Sequence, residues 1–201
     1  MFQSLYPTSE INPALKFAPW IEKTLKEQND TDQTFCLEVN GFVKSTHKDP
    51  KPGNMNDGLK HSAFGANGAY WLTVDATLAT ISAFIHEGFL FRLGVKTEGT
   101  TRAHFSHADF VYLDCDEGST VQESIDRYKH SAFLIYATPS FTPENQKHRI
   151  VLRLSQRCLD ANTVEAILKF LVHQNPALDS SCTDPARVMY GSLEDEPFFY
   201  S

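Results

Sequence analysis

The chain has 201 residues, of which 41% are hydrophobic and 12% aromatic, which suits one domain with a real core. No run approaches the roughly 18 consecutive apolar residues of a membrane span, and the opening MFQSLYPTSEINP lacks the basic and apolar regions of a signal peptide, so a cytoplasmic protein with no membrane partner is expected. The net charge of -7 counts against a uniformly basic nucleic-acid binder but leaves room for a local basic surface: the segment from Lys147 to Arg157 holds Lys147, Arg149, Arg153 and Arg157 and no acid. The same run also reads as a solvated strand face. Cys36, Cys115, Cys158 and Cys182 form no C-x-x-C pair and read as reduced thiols without a function.

In chain order, Asn12 and Pro13 open a helix with the apolar stripe Leu15, Trp20, Ile21 and Leu25, kinked at Pro19 and ending near Asn29 and Asp30. TFCLEVNGFV (34–43) is rich in strand formers, and the Gly, Pro, Asn and Asp of STHKDPKPGNMNDGLKH predict a long loop. GAYWLTV (68–74) predicts a strand, Leu78, Ile81 and Ile85 a helix stopped by Gly88, and FLFRLGV (89–95) another strand. FVYLDCDE is a compact strand signal, followed by a capping box of Thr120 and Glu123 for a helix to about His130. FLIYATPS and RIVLRL (149–154) are strands, Asn162 and Glu165 open a helix with the stripe Val164, Ile167, Leu168 and Leu171, and RVMYG (187–191) is a last short strand. Helices and strands intermix with hairpin-like successions, so the fold class is α+β (mixed α/β) with a largely antiparallel sheet flanked by helices.

The strongest chemical signal is Asp114-Cys115-Asp116 at the end of a strand. With side chains alternating at period two, Phe110, Tyr112, Asp114 and Asp116 share a face, so two carboxylates project together. They repel one another unless a cation intervenes, and a hard, oxygen-preferring ion such as Mg²⁺ or Mn²⁺ is the natural partner. Solvated acids in a strand-to-helix turn would give the same short pattern. Asp179 or Asp184, in ALDSSCTDPARVMYG, could supply a third acid, with Arg187 as a cation for phosphate in the same segment. Asp-Pro also initiates ordinary turns. Lys147, His148 and Arg149 open a strand on which Arg149, Val151 and Arg153 face one way and His148, Ile150 and Leu152 the other, while Ser140 and Thr142 offer hydroxyls to a phosphate.

In order, a strand bearing Asp114-x-Asp116, then T-P-S, a strand opened by K-H-R, and Asp179 ahead of D-P-A-R-V-M-Y-G resemble the archaeo-eukaryotic primase superfamily, in particular primase-polymerases of plasmids, phages and mobile elements. The resemblance covers about residues 88 to 192. It implies a catalytic core with an RRM-like fold and an N-terminal α/β unit, here one domain over 1–201 with subregions 1–75 and 76–201. Asp114, Asp116 and Asp179 match the acids that hold two Mg²⁺ or Mn²⁺ ions. Arg149 or His148 matches the contact to the incoming triphosphate, with Ser140, Lys147 and Arg187 beside it, and Arg92, Lys96, Arg102 and Arg153 are candidates for the template backbone. Such an enzyme joins nucleotides on single-stranded DNA from NTP or dNTP by two-metal phosphoryl transfer, often with a helicase or a helical domain as partner.

Two rival enzyme readings use D-x-D. A haloacid-dehalogenase-like phosphatase normally has Thr where Gly118 stands and opens its domain with the motif, and a metal-dependent sugar transferase has no use for the basic strand. A replication-initiator or single-stranded-DNA-binding domain that has lost activity is the non-enzymatic alternative.

Overall fold

The computed structural model describes residues 17–29, 31–44, 71–96, 102–185 and 187–192. Helix α1 (Ala18–Lys26) leads into β1 (Thr34–Lys44). After the 45–70 segment come β2 (Trp71–Thr77), α2 (Leu78–His86), β3 (Phe89–Arg92) and β4 (Gly94–Lys96). A 3₁₀ turn (Arg102–His104) precedes β5 (Phe105–Cys115), α3 (Val121–Tyr128), β6 (Ala132–Ala137), β7 (His148–Cys158) and α4 (Ala161–Gln174). Two antiparallel sheets result, ordered β2-β1-β3 and β4-β5-β7-β6. The fold is α+β with antiparallel sheets flanked by helices.

The alternation of β5 explains how the layers stack. Phe110 and Tyr112 join a core cluster with Leu37, Val39, Phe84, Phe91, Tyr136 and Val151, which unites the two sheets. Val111, Leu113 and Cys115 point the other way, into a second cluster with Val121, Ile150, Val164 and Leu168, which seats α3 and α4 on the second sheet. That sheet is therefore covered on both faces.

Several elements differ from the sequence expectation for local reasons. Pro19 lies in the first turn of α1, where its missing N–H costs nothing, so it starts the helix instead of kinking it. Asn12, Pro13 and the loop expected over 45–61 lie outside the described residues. FLFRLGV is broken at Leu93 into β3 and β4, which belong to different sheets. Asp160, not Asn162, caps α4 by accepting from the backbone of Asn162 and Thr163. RVMYG is no regular strand. It makes a single antiparallel bridge, Met189 to Phe91.

That bridge belongs to a strap, residues 182–185 and 187–192, that ties the two sheets together. Met189 exchanges backbone hydrogen bonds with Phe91, and Ser192 N–H donates to the Ile85 carbonyl. Toward the second sheet, the strap carbonyls of Asp184 and Tyr190 accept from the Tyr112 hydroxyl at 2.9 Å and from Arg149 at 2.9 Å. Gly94 lets the Pro185 carbonyl approach, because a Cβ there would come within 2.1 Å of that oxygen.

Candidate functional site

The chain's acids meet its bases where three strand ends coincide. Because β7 is antiparallel to both neighbours, the end of β5 and the end of β6 lie beside its start, and Cys115 and Ala137 both pair with His148. The D-x-D of β5 therefore lies across from the K-x-R that opens β7. Asp114 pairs with Arg149 in register, with Nη2 3.3 Å from Oδ2, and Lys147 Nζ stands 3.3 Å from Asp116 Oδ1. Further along, Arg157 makes two hydrogen bonds to Asp109, of 2.8 and 2.7 Å. The two strands thus carry a ladder of charge pairs.

Asp179 arrives from the segment after α4. Leu178 bridges Cys115, and Asp179 N–H donates to the Asp114 carbonyl at 2.9 Å, which fixes the third acid beside the first. Its carboxylate accepts from Ser181 N–H and Oγ, both at 2.8 Å, and from the Cys182 thiol at 3.0 Å. The thiol, the Ser181 donors and the nearby Arg187 charge together outweigh burial and hold Asp179 below the usual carboxylate range. Cys182 also stands 3.8 Å from Asp114 Oδ2, so it sits between the two carboxylates. Burial and Asp179 push its thiol up to about 12, which keeps it a proton donor. Sequence reading missed Cys182 because a solitary cysteine carries no spacing signal.

Arg149 is enclosed. Its Nη1 also donates to the Tyr190 carbonyl and lies 3.4 Å from the Tyr136 hydroxyl. Burial opposes its charge, yet Tyr136 and Asp114 beside it prevail and raise its pKa. His148, on the opposite face, is fully buried, with Nδ1 2.6 Å from the Gln146 carbonyl and Nε2 2.6 Å from Ser124 Oγ. The carbonyl can only accept, so Nδ1 carries the proton and Nε2 receives the Ser124 hydroxyl. Burial lowers the pKa of this imidazole. Neither His148 nor Arg149 presents its side chain to solvent.

The other predicted residues are spread more widely. Ser140, partly exposed, lies in the turn after β6 at the same strand end, its N–H donating to Thr138 Oγ1 at 3.3 Å. Arg187 reaches the Ser181 carbonyl at 3.5 Å. Arg92 lies at the core of the first sheet, 2% exposed, ion-paired with Glu38 at 3.3 Å and stacked 3.8 Å over the Trp71 ring. Register explains this, since Arg92 sits directly across from Glu38. Arg102 is tied to α4 by Glu165 and by Asn162 at 2.7 Å. Arg153 is exposed, its guanidinium 5.1 Å from the Phe35 ring. Lys96 closes β4, and its side chain lies outside the described residues.

The fit to a divalent cation is partial. Asp114 Oδ1 is buried without a hydrogen-bond partner and suits a cation. Among the described residues, however, no three His, Cys, Asp or Glu side chains converge as a cage. Asp114 and Asp116 are each held by a base of the chain itself.

The sequence matches no family model and no curated protein. Among solved structures it is similar to the AEP domain of the cyanophage S-2L primase-polymerase (PrimPol), at 11% identity and a TM-score of 0.42, over 88% of this chain and 80% of that one. No described helix is long and apolar enough to cross a membrane.

Proposed function

We propose that the protein is a template-dependent nucleotidyltransferase, a DNA primase or DNA polymerase acting in replication in the cytoplasm, and that 1–201 is its catalytic domain. One observation carries this reading: Asp114, Asp116 and Asp179, from two distant segments, gather at one strand end beside Lys147 and Arg187. Carboxylates next to cations on a rigid sheet edge suit a polyphosphate substrate, NTP or dNTP, handled with Mg²⁺ or Mn²⁺. In this reading Asp114, Asp116 and Asp179 would hold the metal together with the substrate's phosphate oxygens, and the metal would supply Lewis-acid stabilisation of the phosphoryl group. Lys147, Ser140 and Arg187, which are at least partly exposed, contact the triphosphate. Arg149 and His148, both buried, act indirectly, by holding Asp114 and by anchoring β7 to α3. Arg153, which is exposed, is the base assigned to a single-stranded DNA template, and a helicase or helical domain would be a further partner.

The test uses primed and unprimed single-stranded templates, Mg²⁺ or Mn²⁺ and labelled NTP or dNTP, beside an Asp114→Asn/Asp116→Asn variant. Incorporation that requires template and metal and disappears in the variant is the expected result, and the unprimed lane distinguishes initiation from extension. A folded protein that incorporates nothing favours the second reading, a non-catalytic DNA-binding or replication-initiator domain. The pairing of D-x-D with K-x-R supports that alternative, since it gives both acids a structural role.

A further inference from the structure

The two rungs of the charge ladder at the acid centre, Asp114–Arg149 and Asp116–Lys147, are held with very different strength. The side chains of Arg149 and Asp114 are 9% and 8% exposed, and Arg149 is also tied to the Tyr190 carbonyl. Lys147 and Asp116 are 25% and 48% exposed. An ion pair that open to water contributes little, because the lost attraction is largely replaced by hydration. A buried pair cannot be parted so cheaply, since each charge would be left without water or partner. The acid centre therefore has one fixed counter-ion, Arg149, and one that can leave, Lys147. Next to the fixed pair lies the unpartnered and buried Oδ1 of Asp114, an acceptor that Arg149 leaves unanswered.

We infer that Lys147 is an exchangeable counter-ion: its ammonium occupies Asp116 until a divalent cation takes that carboxylate, and once displaced it pairs with phosphate oxygens of the substrate. This rests on the reading of the acids as metal ligands and adds an order of events to it. Lys suits the task better than Arg, being a compact point charge on a flexible stem, not a planar fork locked into two hydrogen bonds. Lys147 directly precedes β7 and its carbonyl accepts from Thr138 N–H at 3.0 Å, so its backbone stays put while the side chain turns between Asp116 and the Ser140 turn. The consequence is reciprocal coupling. Metal frees Lys147 for phosphate, and phosphate, by taking Lys147, frees Asp116 for metal.

Two binding measurements on the full chain test the exchange without relying on turnover. In the first, Mn²⁺ binding is followed by electron paramagnetic resonance for the wild type, Lys147→Met, Lys147→Arg and a remote control, Lys23→Met, which loses an equally charged side chain on α1. Lys147→Met should bind Mn²⁺ about two- to fivefold more tightly, the size of an exposed ion pair, while the other two stay near wild type. In the second, binding of inorganic tripolyphosphate is measured in EDTA. Asp116→Asn should tighten it by a similar factor, and adding Lys147→Met should abolish the gain.

Unchanged or weaker Mn²⁺ binding in Lys147→Met overturns the inference, as does a tripolyphosphate gain that survives loss of Lys147. If Mn²⁺ binds the wild type and only the Lys147 effect is missing, the exchange fails and the metal reading stands. If no variant binds Mn²⁺, both fail.

Discussion

At the scale of single residues, Arg149 and Asp114 are bound to one another more firmly than either is to function. Replacing Arg149 with Met leaves Asp114 enclosed without its counter-charge, and breaking a buried pair from one side costs about 3–5 kcal/mol. Urea denaturation of Arg149→Met should show a loss of that order. The Asp114→Asn/Arg149→Met double variant should recover a good part of it, because no uncompensated charge remains. The D-x-D motif and its shared face were legible in the sequence, as were the faces of Arg149 and His148. The partnership was not. Both strands were visible as strands, and the acids of one and the bases of the other were noted, but the register that brings 114 against 149 is set only when β5 and β7 pair. The equal spacing of D-x-D and K-x-R was the available clue. For the same reason the basic run of β7 gives less positive surface than its composition suggests, since Asp109, Asp114 and Asp116 each meet one of its bases or the lysine ahead of it.

At the scale of elements, helix α3 was the most legible feature: its capping box of Thr120 and Glu123 is formed in both directions. What the sequence could not convey is that the helix is fastened to β7 through Ser124 and His148. This link makes stability pH-dependent. The folded protein keeps His148 neutral by burying it, whereas the unfolded chain protonates it near the ordinary value of about 6.5. Between the lowered folded value and 6.5 the unfolded state binds more protons, so stability falls as the pH drops below about 6.5 and is level above it. The slope contributed by one such group approaches about 1.4 kcal/mol per pH unit. Burial lowers His86 and His107 as well, so they add to the same trend. Urea melts between pH 7.5 and 5.5 should show the decline in the wild type and a shallower one in His148→Gln. An equal slope in both would assign the dependence to the other histidines. The splitting of FLFRLGV between two sheets was likewise beyond the sequence, because a continuous apolar run reads the same whether one sheet or two receive it.

At the scale of the whole molecule, the strap holds the two sheets and the acid centre in one arrangement. Two glycines make its close approaches possible. A Cβ at Gly94 would come within 2.1 Å of the Pro185 carbonyl oxygen, and one at Gly191 within 2.7 Å of the Ile85 carbonyl oxygen. These obstacles are backbone, which cannot turn aside as a side chain would. Gly94→Ala and Gly191→Ala should therefore each cost on the order of 1–3 kcal/mol in chemical denaturation, the usual range for overpacking, with Gly94→Ala the more severe. Serine at either position should do no better, since it carries the same Cβ.

The strap also governs the time at which the acid centre becomes complete. Cys182 reaches back 68 residues to Asp114, and Tyr190 reaches back 41 to Arg149. Contacts that span so much chain form late, after the entropy of closing the intervening loop has been overcome. On the ribosome, the strand carrying Asp114 and Asp116 emerges well before Asp179, and before the carbonyl that steadies Arg149. A nascent chain therefore carries two closely spaced carboxylates, at first unpaired and then met by Lys147 and Arg149, well before Asp179 and Cys182 arrive. The centre is a product of the last steps of folding, and until those steps are taken the chain has the ingredients of a site without having one.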